Sequence, residues 1–97
     1  MKLDFNFPLK DLTGKDIENT NVGKILANTL ANANKGNSIK MMDWALKLYN
    51  GNPLEIDQSD ADILEGFIDT ADGLSNLMKH PMLRVIKDAK SAEKESK

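Results

Sequence analysis

The chain has no cysteine, one histidine, one tryptophan and one tyrosine among its 97 residues. Without cysteine there is no disulfide framework, no thiolate zinc site and no thiol nucleophile. His80 alone cannot build a multi-histidine metal centre, and Ser-His-Asp chemistry would have it as its only base. Apolar runs stop at three residues, so no stretch can span a bilayer as a helix. Asp4 and Asn6 interrupt the N-terminus where a signal peptide needs its apolar segment, so a cytoplasmic location is expected. An excess of positive charge is also missing. The 13 Lys and Arg against 15 Asp and Glu give a net charge of −2, which argues against binding driven by phosphate neutralisation. Gly-rich phosphate loops, G-x-S-x-G elbows and H-E-x-x-H motifs are absent.

What is present suits one small domain, with length for a single core. Leu3, Phe5, Phe7 and Leu9 alternate with Asp4, Asn6 and Pro8, the period of a strand with one buried face. Asp11-Leu12-Thr13-Gly14-Lys15 is a turn signal with Gly14 at its positive-φ position. A return strand is expected over about residues 15–18, with Ile17 inward. Asn19-Thr20-Asn21 offers N-cap side chains for a helix over about residues 22–34, whose buried face carries Val22, Ile25, Leu26, Leu30 and Ala33. Lys35-Gly36-Asn37 stops it, and Ser38 caps the next helix. There Ile39, Met42, Ala45, Leu46 and Tyr49 share a face expected to be buried.

Leu54 and Ile56 alternate with Glu55 and Asp57, which leaves room for a third short strand partnered by the N-terminal hairpin. Ser59 and Asp62 resemble a capping box ahead of a helix that buries Ile63, Leu64, Phe67, Ile68 and Ala71. Leu74, Leu77 and Met78 open another helical stretch, which Pro81 either kinks or restarts. Met82, Leu83 and Ile86 continue its apolar side. The expected fold is therefore α+β: an N-terminal β-hairpin, with a third short strand, packed with three to five helices in a single two-layer domain. The domain covers residues 1–86. Residues 87–97 read as a solvated helix passing into a charged, disordered tail.

Charge is unevenly distributed. Residues 1–50 carry seven lysines and five acids, whereas residues 51–97 carry six basic and ten acidic residues. No Lys or Arg lies between Lys47 and Lys79. In that gap Asp62, Glu65, Asp69 and Asp72 recur at i, i+3, i+7 and i+10, one stripe of a helix opposite Leu64, Phe67 and Ile68. The stripe is either a solvated face or a docking surface for a basic partner. A Ca²⁺ loop fails on register: started at Asp57, its fifth position is Ala61 and its sixth Asp62, where a ligand and a glycine are needed.

Trp44 is either a packed core side chain or an exposed interface anchor, with Met41 and Met42 as adaptable neighbours. His80, before Pro81, reads as a helix-end or surface residue. The ten asparagines reflect composition bias or a polar contact surface. Lys10, Lys15, Lys24, Lys35, Lys40 and Lys47 make the first half the more basic one, but they are scattered and few aromatics lie among them for stacking on bases.

The segments Leu3-Asp4-Phe5-Asn6-Phe7-Pro8-Leu9-Lys10-Asp11-Leu12-Thr13-Gly14-Lys15, Asn21-Val22-Gly23-Lys24-Ile25-Leu26-Ala27-Asn28 and Asp43-Trp44-Ala45-Leu46-Lys47-Leu48-Tyr49-Asn50-Gly51 resemble small acidic proteins encoded by phages and prophages. The resemblance covers about residues 1–85 and brings no catalytic or binding residue with it. It implies an accessory role, a class that includes assembly factors and inhibitors of host defence, anti-CRISPR proteins among them. The function expected is a non-enzymatic protein-binding module, without cofactor or metal, that docks on a host protein and inhibits it. Asp62, Glu65, Asp69, Asp72 and Trp44 would be its contact residues, and the partner's groove would be a basic one that ordinarily holds nucleic acid. Two alternatives stand beside it: a phage structural or tail-assembly accessory protein that oligomerises or caps an apolar surface, and weak nucleic-acid binding through the basic first half.

Overall fold

The computed structural model describes residues 1–34 and 36–95. Lys35, within the expected helix-stop signal, and the last two residues of the expected tail lie outside them. Six elements follow in order: β1 (Lys2–Leu3), α1 (Val22–Ala31), α2 (Ser38–Tyr49), β2 (Leu54–Glu55), α3 (Gln58–Asp69) and α4 (Asn76–Glu95). The architecture is α+β, with four helices and a two-stranded antiparallel sheet among the described residues. No helix among them is long and apolar enough to cross a membrane.

The N-terminal segment buries its alternate residues as its period predicts: Leu3, Phe5 and Leu9 are core. Its hydrogen bonding differs from expectation. β1 pairs with β2, Lys2 opposite Glu55 and Leu3 opposite Leu54, so the anticipated third strand is the actual ladder partner. The anticipated return strand is reduced to a bridge between Lys10 and Asp16. Between these pairings the carbonyls of Phe5 and Phe7 accept from the amides of Gly23 and Val22, at 2.9 and 2.8 Å. The first amides of a helix have no partner within it, and here the N-terminal segment supplies one. Its alternation therefore records burial without a continuous ladder.

Asn21 caps α1, its side chain accepting from the Lys24 amide at 3.0 Å. The caps of the next two helices sit one and two residues before the expected ones. Asn37, not Ser38, accepts from the Lys40 amide, and Asp57, not Ser59, accepts from the Asp60 amide. In the 11–15 turn Gly14 has φ +88°. The Asp11 carboxylate there accepts from the Thr13 hydroxyl and from the Thr13 and Lys15 amides. These bonds, the Thr13 hydroxyl first among them, hold the Asp11 carboxyl below the ordinary aspartate value.

α1 and α2 form an antiparallel pair, because Gly23 at the start of α1 meets Leu48 near the end of α2. α3 and α4 are likewise antiparallel: Lys79 reaches the Asp69 carbonyl at 2.9 Å, while Lys90 reaches Asp62 and Glu65. α4 takes Pro81 within its second turn and continues as one helix. It also runs through the expected domain boundary at residue 86. Residues 87–95 are helix, Ala89 packs against the core, and Glu93 lies 3.3 Å from the Met1 ammonium. The expected disordered tail is thus ordered helix as far as Glu95.

Candidate interaction surface

Helix α2 (SIKMMDWALKLY) carries two apolar stripes. Met41, Trp44, Ala45 and Leu48 face inward and join the core. Ile39, Met42, Leu46 and Tyr49 face outward and are 78, 42, 56 and 54% exposed. The sequence expectation chose the second stripe, with Ala45, for burial; the structure buries the first. The close approach of α1 at Gly23 to the α2 backbone at Leu48 lies on this buried side, where Leu48 is core. Trp44 is consequently 5% exposed. It is a core residue, and the reading of it as an exposed anchor is corrected.

The exposed row has polar flanks. On one side the Lys24 ammonium stands 5.4 Å from the centre of the Tyr49 ring, within reach of the ring quadrupole. On the other side lie Asp43 and Lys47, one helical turn apart and both exposed. Neither makes an ion pair among the described residues.

The four acids do not form one unpaired stripe. The Lys90 ammonium bonds the carboxylates of both Asp62 and Glu65, the latter at 3.2 Å. The bond it donates to Asp62, above all, raises the Lys90 pKa over the ordinary lysine value. Asp69 is the last residue of α3, and Asp72 lies beyond the helix end. The lysine-free gap in sequence is thus answered in space by α4. The lysines of the first half are no more concentrated: Lys10 pairs with Asp16 at 2.9 Å, Lys40 with Asp60 at 2.7 Å, and Lys24 covers Tyr49. Among the described residues no group of three or more His, Asp and Glu side chains is placed to hold a metal ion.

A concavity that sequence reasoning missed lies between the 7–12 segment and the start of α4. It has a volume of about 550 Å³ and is lined mainly by Phe7, Pro8, Leu12, Leu77 and Pro81, with His80 at its side. Its one sequence signal is Leu12, an apolar residue in a turn, which is almost wholly exposed.

Comparison of the chain with protein-family models, with curated proteins and with solved structures finds no match.

Proposed function

We propose that this chain is a non-enzymatic protein-binding module of the phage-accessory kind. In this reading it is a two-layer domain, works in the cytoplasm and presents α2 to a protein partner. The observation that carries the reading is the exposed row Ile39, Met42, Leu46 and Tyr49. Single exposed apolar side chains are ordinary, but a contiguous row rimmed by polar residues is the pattern of an interaction site. Covering it removes apolar area from water, and Tyr49 and Met42 are residue types that interfaces favour. A row of this kind suits the assembly-factor alternative, which oligomerises or caps an apolar surface, better than electrostatic docking through Asp62 and Glu65, whose charges Lys90 already meets.

One observation favours the inhibitor reading as a second. Asp69 and Asp72 lie at and beyond the C-terminal end of α3, where the helix dipole disfavours acids. Local helix stability does not account for acids at that end, and both are exposed. In this reading they meet a basic groove on a host-defence nuclease, in the manner of anti-CRISPR proteins.

Parallel affinity capture separates the two. Proteins retained by the wild type, lost with Leu46→Asp and kept with Asp69→Lys/Asp72→Lys support the α2 surface. The reverse pattern transfers the function to the end of α3. Retention by both variants removes both surfaces as sites for the captured proteins.

A further inference from the structure

Resting on the α2 reading, we propose that the partner covering this face is a second copy of the same chain, with α2 packed antiparallel on α2 about a two-fold axis. The exposed row has spacings of three, four and three residues between Ile39, Met42, Leu46 and Tyr49. That sequence of steps reads the same in both directions. It is also the alternation of the two seam positions of a coiled coil. An isologous interface requires a surface that complements itself. Set antiparallel, Ile39 meets Tyr49 of the second copy and Met42 meets Leu46, in both halves of the contact. A helical stripe of four residues commonly has these steps, as the spacing of Asp62, Glu65, Asp69 and Asp72 does, so the spacing permits the two-fold register and the charged flank argues for it.

The charged flank agrees with the apolar row. Asp43 and Lys47 lie on the same side of α2, one turn apart. In the antiparallel arrangement, with the two-fold axis passing between Met42 and Leu46, Asp43 falls beside Lys47 of the second copy, and Lys47 beside Asp43. Helical side chains lean toward their own N-terminus, which brings each acid toward the opposing lysine. Both groups lack an ion-pair partner among the described residues of their own chain. The two helix dipoles also oppose, the favourable alignment for close neighbours.

Sedimentation velocity of the full chain from micromolar to millimolar concentration tests this. The wild type is expected to pass from monomer to dimer, with no larger species. Leu46→Asp, at an exposed position, is expected to raise the dimer dissociation constant by about 100-fold or more, the scale of losing a central contact residue. Asp43→Lys and Lys47→Asp are each expected to weaken the dimer about tenfold through like charges, and the double exchange Asp43→Lys/Lys47→Asp to restore it. Circular dichroism confirms that each variant is folded, and the charge exchange leaves the apolar row untouched. A wild type that stays monomeric throughout overturns the second copy. If capture still depends on Leu46 in that case, the α2 surface stands with a different partner. A dimer indifferent to Leu46→Asp places the interface elsewhere, and a double exchange that does not rescue rejects the antiparallel register.

Discussion

Gly23 approaches Leu48 so closely that a Cβ on Gly23 would lie 3.3 Å from the Leu48 carbonyl oxygen. The same atom would lie 3.3 Å from the Phe5 carbonyl, which the Gly23 amide already engages at 2.9 Å. One residue thus joins the N-terminal segment, α1 and α2. Backbone oxygens cannot swing away as a flexible side chain can. Gly23→Ala is expected to destabilise the fold by about 1–3 kcal/mol, the range for overpacking a tight contact. Gly66 in α3 has open space where a Cβ would go, so Gly66→Ala is expected to stabilise by about 0.5–1 kcal/mol through helix propensity. Urea unfolding of the two variants gives opposite signs if this packing is right.

The two stripes of α2 make a sharper pair. Leu48 is buried and Leu46 is more than half exposed, two positions apart on one helix. Leu48→Ala is expected to cost about 2–5 kcal/mol, as for a large-to-small core change. Leu46→Ala is expected to change monomer stability by less than about 0.5 kcal/mol. Denaturation at concentrations low enough to hold the chain monomeric separates this effect from any loss of association.

Lys90 ties the end of α4 to the start of α3 through Asp62 and Glu65. Its pKa is higher in the folded chain than in the unfolded one, with the Asp62 bond as the main cause. The pairing therefore contributes fully at pH values below the ordinary lysine pKa and is lost as pH rises through the folded value. At neutral pH Lys90→Gln is expected to cost about 0.2–1 kcal/mol, as exposed ion pairs do. The gap between wild type and variant is expected to close in strongly alkaline solution. Unfolding curves for both, recorded from neutral pH upward, check the direction.

Asp11 behaves in the opposite sense. Its carboxyl is held below the ordinary value, first by the Thr13 hydroxyl and further by the Thr13 and Lys15 amides. Its contribution is present above the unfolded pKa and is lost as pH falls through the folded one. The 11–15 turn is expected to loosen in acid before the helices do. Amide exchange at Thr13 and Lys15, compared with that in Asp11→Ala, tests this: the variant is expected to exchange quickly at every pH.

The sequence disclosed a good part of this fold. Helix positions follow from caps and periodicity to within a residue or two, and α1 buries Val22, Leu26 and Leu30 as expected, while Ile25 on the same expected face is only half-buried and Ile63 of α3, expected inside, is exposed. α2 was ambiguous for a physical reason: apolar side chains occupy two stripes, and periodicity cannot say which one the neighbouring helix will cover. The answer lay in how α1 packs on α2, a contact between segments whose close approach at Gly23 and Leu48 exists only once the two helices are placed together. The N-terminal alternation reported burial correctly but not its hydrogen-bond partners, which come from β2 and the start of α1. The acids at Asp62 and Glu65 looked uncompensated because their lysine is 25 or more residues away. Trp44 and the groove beside Leu12 likewise depend on contacts between distant segments.

The central claim is that the outward row of α2 is covered in the working state of the protein. Methionine oxidation reads this directly, because Met41 and Met42 are adjacent but lie on opposite sides of the surface: Met41 is buried, Met42 exposed. Brief peroxide treatment, with fragmentation mass spectrometry to resolve the two, is applied to the dilute isolated chain and to the chain in the cells that make it. Met42 is expected to oxidise readily when dilute and to be protected in the cell, with Met41 slow in both. Equal, rapid oxidation of Met42 in both settings would contradict the account.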